Sequence, residues 1–290
     1  MNGIIVIDKP EGFTSQDVVS KVKKILNIKK AGHTGTLDPM ATGILPVMLG
    51  NYTKFSKYLI EHDKIYISKV KLGEKTSTGD IEGDVIEEKE VKDYKTSELS
   101  KKVRSLIGKQ LQKPPMYSAV KVKGKKLYEY AREGIEVEVK PREIEIYDTE
   151  FDSYNEETKE LKFVVSCSKG TYIRVLCEEL AERLGTVGHM TELRRIKVDN
   201  FDLDYAIKLE DLEENKDNEL FIQKCILEIP IIFFKWNKIV VPSKKLDLFL
   251  NGVKLTFDKP DGNYVVYDEK YNVLGTGIVK DKLLKRDVIV

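Results

Sequence analysis

Cysteine, histidine and tryptophan are scarce in this chain. The three cysteines, Cys167, Cys177 and Cys225, are far apart and form no CxxC pair. An odd count with wide gaps argues against a disulfide framework and against a zinc ribbon. His33, His62 and His189 are the only histidines and are scattered, so no metal site is expected. A Walker loop and a GxGxxG turn are both missing, so neither a nucleoside triphosphate nor a dinucleotide is indicated and no cofactor is expected. No apolar run approaches the ~20 residues that cross a bilayer. The opening Met1-Asn2-Gly3-Ile4-Ile5-Val6-Ile7-Asp8 has no basic leader and too short an apolar part for a signal peptide. It reads as a first strand, and a cytoplasmic protein without membrane contact is expected.

The 290 residues, 41% hydrophobic and 33% charged, suit a globular protein of one large domain, or a large and a small one. The net charge of +1 says nothing about partners, but its distribution does. Lysines cluster at Lys21, Lys23, Lys24, Lys29 and Lys30. They cluster again at Lys121, Lys123, Lys125 and Lys126, and a third basic group is Arg194, Arg195 and Lys197. Acid concentrates around 82–90 and 210–219. Any one such cluster is usually solvated surface. Three of them flanking motifs make a basic groove for nucleic acid plausible on a nearly neutral chain.

Strands are expected at 3–9, 64–73, 143–151, 161–167 and 191–198. Thr14 and Asp17 have the spacing of a capping box, and Val18, Val19, Val22, Ile25 and Leu26 then mark one helical face. Further helices are expected near 57–59, at 97–107, after Lys169-Gly170, at 206–214 and at 220–227. In the 64–73 strand, Tyr66, Ser68, Val70 and Leu72 share one face. From Pro114 to Lys140 the pattern is irregular and basic. Beyond about Trp236, short alternating strands separated by Asn251-Gly252, Asp261-Gly262 and Gly275-Thr276-Gly277 suggest a small second domain. Strands and helices do not alternate strictly, so the fold class is α+β rather than a doubly wound sheet.

The densest stretch is Gly32-His33-Thr34-Gly35-Thr36-Leu37-Asp38-Pro39-Met40-Ala41-Thr42-Gly43-Ile44-Leu45-Pro46-Val47. Gly32, Gly35 and Gly43 allow backbone shapes barred to other residues, and Pro39 restricts Asp38 to extended conformations. A stiff loop presenting one acid is expected, anchored by the apolar run 44–49. By themselves these residues leave two readings open: a displayed catalytic acid, or an ordinary turn aspartate. The full string closely resembles the catalytic motif of the TruB-type tRNA pseudouridine synthases. Further motifs extend that resemblance over nearly the whole chain: 8–15 (Asp-Lys-Pro-Glu-Gly-Phe-Thr-Ser), Lys64-Ile65-Tyr66 with Thr78-Gly79-Asp80, 115–121 with 124–132, 168–174, and Leu193-Arg194-Arg195. The C-terminal region resembles a PUA domain less closely.

The resemblance implies a pseudouridine synthase fold: a mixed, largely antiparallel central sheet with flanking helices over 1–235, an RNA-clamping insertion at about 112–141, and a β-rich PUA-like domain over 236–290. It implies isomerisation of uridine 55 in the T stem-loop of tRNA, with Asp38 as nucleophile. Arg174 is expected to hold Asp38 ionised through a bidentate fork. Tyr66 is expected to stack on the target base, and Leu193 to close the pocket. His33 is implied to wedge into the gap left by flipped bases. Lys9, Tyr172, Lys121, Lys125 and Lys126 complete the implied substrate-binding set. From position alone, Tyr66 and Leu193 read as core, and Arg174 and His33 as surface.

The expected enzyme acts alone on tRNA, as a monomer. One rival is a guide-RNA-dependent synthase of the same superfamily, against which the insertion argues. Another is a tRNA-folding protein whose chemistry is incidental. A glycosidase would need paired carboxylates, and the Asp38 motif holds one acid.

Overall fold

The computed structural model describes residues 1–59 and 63–290. His62 lies outside the described residues. The strand Gly3–Lys9 lies one place in from an edge of the main sheet, and its Ile4-Ile5-Val6-Ile7 run is buried on both faces. Such a run needs partners on both edges and cover above and below. On one edge it pairs antiparallel with Thr42–Leu49, the strand that follows the Asp38 loop. On the other it pairs parallel with Ala206–Lys208. Those three residues were expected to begin a helix; the helix starts only at Leu209. The correction has a non-local cause, because the open edge of the first strand recruits them.

Among the described residues the main sheet has ten strands. The path runs from Ala206–Lys208 through Gly3–Lys9, Thr42–Leu49, Gly188–Val198, Lys64–Leu72, Glu160–Cys167 and Arg142–Asn155 to Gly108–Gln112. Gly188–Val198 runs parallel to Thr42–Leu49, and the remaining pairs from Lys64 outward are antiparallel. This is the mixed, largely antiparallel α+β sheet that the sequence implied.

Helix Ser15–Ile25 begins at the expected capping box. Thr14 Oγ1 accepts from Asp17 N, and the Asp17 carboxylate accepts from Thr14 N. Its Val18, Val19 and Val22 pack on Ile5, Ile7, Leu45 and Val47. On the same side of the sheet, Thr96–Arg104 and Ile173–Leu184 cover the inward face of Lys64–Leu72. That strand alternates as the sequence predicts, burying Lys64, Tyr66, Ser68, Val70 and Leu72.

The insertion is more ordered than its composition suggests. Lys121–Val122 and Lys125–Lys126 form a two-stranded hairpin, followed by the helix Leu127–Arg132. Lys123 and Gly124 both have positive φ (51° and 86°), the backbone of a tight hairpin turn.

The C-terminal strands form a separate five-stranded sheet from Asn237 to Ile289. It has its own core around Ile239, Phe249, Tyr264, Val266 and Leu284. Its other face shares a core with the large domain, where Val265, Tyr267 and Val288 meet Phe55 and Phe233. Asp287 accepts from Tyr58 Oη at 2.6 Å and pairs with Lys57. A sheet this small gains by sharing apolar surface with a larger body.

Candidate active site

The Asp38 loop is held at several points along its backbone. Ser15 Oγ accepts from Leu37 N (2.8 Å) and donates to Leu37 O (3.1 Å). Ala41 N closes a turn onto Asp38 O at 3.1 Å, and Gly12 N donates to Pro39 O at 2.9 Å. The Lys9 ammonium donates to Pro39 O, Phe13 O and Pro10 O. Lys9 was expected among the substrate-binding residues. It is fully buried, and all three of its donors are spent on these carbonyls, so it stiffens the loop from behind. Burial, chiefly, pulls its pKa down to about 8.

The two ends of the loop are tied by Arg195, which is 1% exposed. Its Nε donates to Ile44 O at 2.7 Å and its NH2 to Gly35 O at 3.1 Å. Its strand register sets it opposite Tyr66. Of the three loop glycines credited with special backbone freedom, only Gly43 uses it, at φ 99°. A Cβ there would lie 2.2 Å from Arg195 O. Gly32 and Gly35 have φ values open to any residue.

Asp38 opens into a cavity of about 270 Å³, near the lower end of small-ligand sites. Tyr66, Tyr172, Arg174 and Leu193 line it with Asp38, from four different segments of the chain. The larger groove of about 1000 Å³ beside Glu74 and His189 holds none of these residues. Size alone therefore does not mark the site.

Arg174 projects from the first turn of the Ile173–Leu184 helix and is 5% exposed. A bidentate fork toward Asp38 was expected, and the structure corrects this. Nε lies 3.2 Å from Asp38 Oδ2, while NH1 lies 3.3 Å from Asp80 Oδ2 and donates to Thr78 O at 3.1 Å. NH2 donates to Tyr117 O at 2.7 Å. The guanidinium is thus divided among the Asp38 loop, the Thr78–Asp80 turn and the insertion. A bidentate pair does exist nearby, between Arg194 and Asp8 at 3.0 and 2.8 Å. This pairing and the burial of Arg195 take both arginines out of the expected basic surface cluster.

Asp38 keeps about a third of its side-chain surface open, 34%. Its carboxyl is nevertheless pushed above the usual carboxylate value. Burial is the main cause and Asp80 adds to it, while Arg174 and Lys9 oppose them. The expectation that a neighbouring cation sets the balance is corrected: desolvation outweighs it. The Tyr66 phenol is also raised, first by burial, and Arg195 works against that. Lys64, a further lining residue, is lowered to about 8, chiefly by burial and then by Arg195.

The remaining expected residues lie around this pocket. Tyr172 sits at the N-terminus of the Arg174 helix. Its N–H donates to Gln112 Oε1 (2.7 Å), and its carbonyl accepts from Gln112 Nε2 (3.1 Å). His33 ends the short strand Ala31–His33 and is not among the lining residues; burial, then Arg195, lowers its pKa. Lys121, Lys125 and Lys126 are on the hairpin, outside the pocket. Lys125 pairs with Glu133 and lies over the Tyr130 ring, and Lys126 lies over Tyr128. Sequence reasoning placed Arg195 only in a basic surface cluster and assigned no role to Asp80, Gln112 or Lys64. Asp80, Lys64 and Arg195 stand in quoted motifs, but nothing local reveals whom they contact.

Comparison with known proteins gives this geometry a family. The profile described as TruB family pseudouridylate synthase (N terminal domain) matches residues 23–173. The chain belongs to the TruB family. A second profile, the tRNA pseudouridylate synthase B C-terminal domain, matches 174–231. Among curated relatives, tRNA pseudouridine synthase B of Psychrobacter cryohalolentis is 50% identical over 73% of this chain, a match spanning only 60% of that protein. The protein of the same name from Clostridium kluyveri is 41% identical over 97% of this chain and 96% of its own length. Among solved structures, a chain of a Cbf5-Nop10-Gar1 complex is similar over 99% of this chain and 84% of its own length, at 26% identity and TM-score 0.73.

Proposed function

We propose that this TruB family protein isomerises uridine 55 to pseudouridine in the T stem-loop of tRNA. The observation that carries the reading is Asp38 facing a base-sized cavity with Arg174 at 3.2 Å and Tyr66 and Leu193 on its walls. The names of the relatives support tRNA as the substrate.

A uridine stacked in folded RNA must first leave the stack, at a cost of a few kcal/mol. His33, at the edge of the site, is suited to fill the gap it leaves. Inside the cavity Tyr66 offers a ring for stacking and Leu193 an apolar wall that keeps water out. Asp38, ionised, then acts as nucleophile on the nucleotide, and the bond it makes breaks again to return the carboxylate before product leaves. The bond from C1′ to N1 breaks, the uracil turns within the closed cavity, and C5 bonds to C1′. The hydrogen on C5 is lost and N1 gains one, so the product is an isomer of the substrate. Asp38 must therefore enter the reaction charged despite its raised pKa, and Arg174 is the cation beside it. The divided fork of Arg174 fixes that cation in position, so none of its placement depends on substrate.

RNA grip falls to the insertion, where Lys121 and Lys123 are exposed and Tyr128 and Tyr130 interleave with basic groups. The presence of this insertion favours a stand-alone enzyme over a guide-dependent one, and in this reading the enzyme acts as a monomer. In this reading 1–235 form the catalytic domain, and 236–290 form a PUA-like RNA-binding domain of a cytoplasmic protein. The test is to incubate an unmodified T-arm hairpin with the protein alone and map pseudouridine. Product at the T-loop uridine supports the reading. No product with the hairpin alone, but product once a guide RNA is added, selects the rival.

A further inference from the structure

Ser118 lines the Asp38 cavity but makes no visible use of its hydroxyl. The residue is 6% exposed, and its Oγ is buried with no hydrogen-bond partner. Three other side-chain atoms among the described residues share that condition, His33 Nδ1, Gln110 Nε2 and Tyr154 Oη, and none belongs to a residue lining the cavity. Buried polar groups nearly always have partners, because an unmade bond forfeits their hydration.

The backbone of Ser118 is, by contrast, fully engaged. Its N–H donates to Met116 O at 3.0 Å, and its carbonyl accepts from Tyr128 N at 3.1 Å. The preceding carbonyl, Tyr117 O, takes the Arg174 NH2. Cα is therefore fixed at the cavity wall, and the freedom left is rotation about χ1. That rotation breaks no hydrogen bond. A hydroxyl can donate or accept, so it suits any polar group brought to it.

A uridine entering the cavity loses water from its uracil carbonyls, its N3–H and its ribose hydroxyls. Each must regain a partner or weaken binding. We infer that Ser118 Oγ turns into the cavity and hydrogen-bonds the flipped uridine, at the uracil edge or at the ribose 2′-hydroxyl. Ser118 is thus a substrate-positioning residue beside Asp38, Tyr66 and Arg174. The inference rests on the proposed reading of this cavity as a uridine site.

The test uses full-length Ser118→Ala and two T-arm hairpins, one with uridine at the target position and one with 2′-deoxyuridine. Three quantities are read: Tm of the free protein, kcat/KM on the uridine hairpin, and binding affinity for both. The free protein has no bond to lose, so Tm should equal or exceed that of wild type. Affinity and kcat/KM on the uridine hairpin should fall about tenfold, the loss of one neutral hydrogen bond. If the partner is the ribose 2′-hydroxyl, the affinity penalty vanishes on the deoxyuridine hairpin. If it is the uracil edge, the penalty is equal on both. Unchanged kcat/KM and affinity overturn the inference while leaving the proposed function intact. So does a lowered Tm with a matching loss of activity, since the hydroxyl would then be structural. Wild-type protein inactive on the uridine hairpin overturns the functional reading, and the inference falls with it.

Discussion

Arg174 Nε stands 3.2 Å from Asp38 Oδ2 while NH1 of the same guanidinium stands 3.3 Å from Asp80 Oδ2. Two carboxylates share one cation. Asp80 is 3% exposed and also accepts from Thr78 Oγ1 and Glu82 N, so it anchors the guanidinium from a fixed position. Asp38, on the open side, is left free to meet substrate. The arrangement separates the residue that holds the arginine from the residue that, in the proposed function, reacts.

Asp38→Asn should bind tRNA within a fewfold of wild type and lose turnover, because shape is kept and the nucleophilic charge is gone. Retention of a tenth of the wild-type rate in single-turnover assays would remove Asp38 from that role.

The same variant makes a stability prediction with a definite sign. A carboxyl whose pKa is raised by folding binds its proton more tightly folded than unfolded. Its contribution is then fully present below the unfolded pKa and is lost as pH rises through the folded pKa. At neutral pH the ionised Asp38 therefore weakens the fold, and Asp38→Asn should raise Tm. At pH values below the unfolded carboxylate pKa the gain should disappear. A lower Tm at pH 7 would mean that pairing with Arg174 outweighs burial.

The activity of wild type should fall as pH drops through the folded pKa of Asp38, above its ordinary value of 3.8. Asp80→Asn removes a charge that pushes this pKa up, so the acid limb should move to lower pH. The limb is read from single-turnover rates at saturating RNA. A limb that stays in place or moves up would dissociate it from Asp38.

Arg174→Lys keeps the charge but cannot span Asp38, Asp80, Thr78 O and Tyr117 O from one ammonium. A fall in kcat of about 100-fold, about 2.7 kcal/mol of barrier, is expected. The Tm should fall as well, since Asp80 loses its partner while buried. Near-normal kcat would exclude the shared guanidinium from the chemistry.

Gly43→Ala should lower stability by about 2–4 kcal/mol, because the backbone is in the left-handed region and the new Cβ meets Arg195 O at 2.2 Å. Denaturant unfolding measures it. A change under about 0.5 kcal/mol would show that the strand pair there yields easily.

On the insertion, neutralising Lys121 and Lys123 should flatten the slope of log affinity against log salt by about one unit per lost phosphate contact. Neutralising Lys125 and Lys126 should change it less, since Lys125 already pairs with Glu133 and both lie over tyrosine rings. Equal effects from the two pairs would mean that these contacts open when RNA binds.

The sequence by itself determined whatever depends on residues a few positions apart. The Thr14–Asp17 capping box, the alternation of 64–72 and the turn chemistry of the small C-terminal sheet were legible because their hydrogen bonds and burial faces repeat within one element. Motif resemblance added the identities of Asp38, Tyr66, Arg174 and Leu193, which the structure brings to one cavity. Tertiary structure alone decided who holds whom. Asp8 and Arg194 are 186 residues apart in sequence, Arg174 and Tyr117 57. Ala206–Lys208 became a strand because the first strand had a free edge. Arg195 looks in sequence like its neighbour Arg194, yet it is buried and closes the Asp38 loop while Arg194 pairs with Asp8. Successive strand residues point to opposite faces. What each arginine then meets depends on chain brought in from far away, and no local pattern records it.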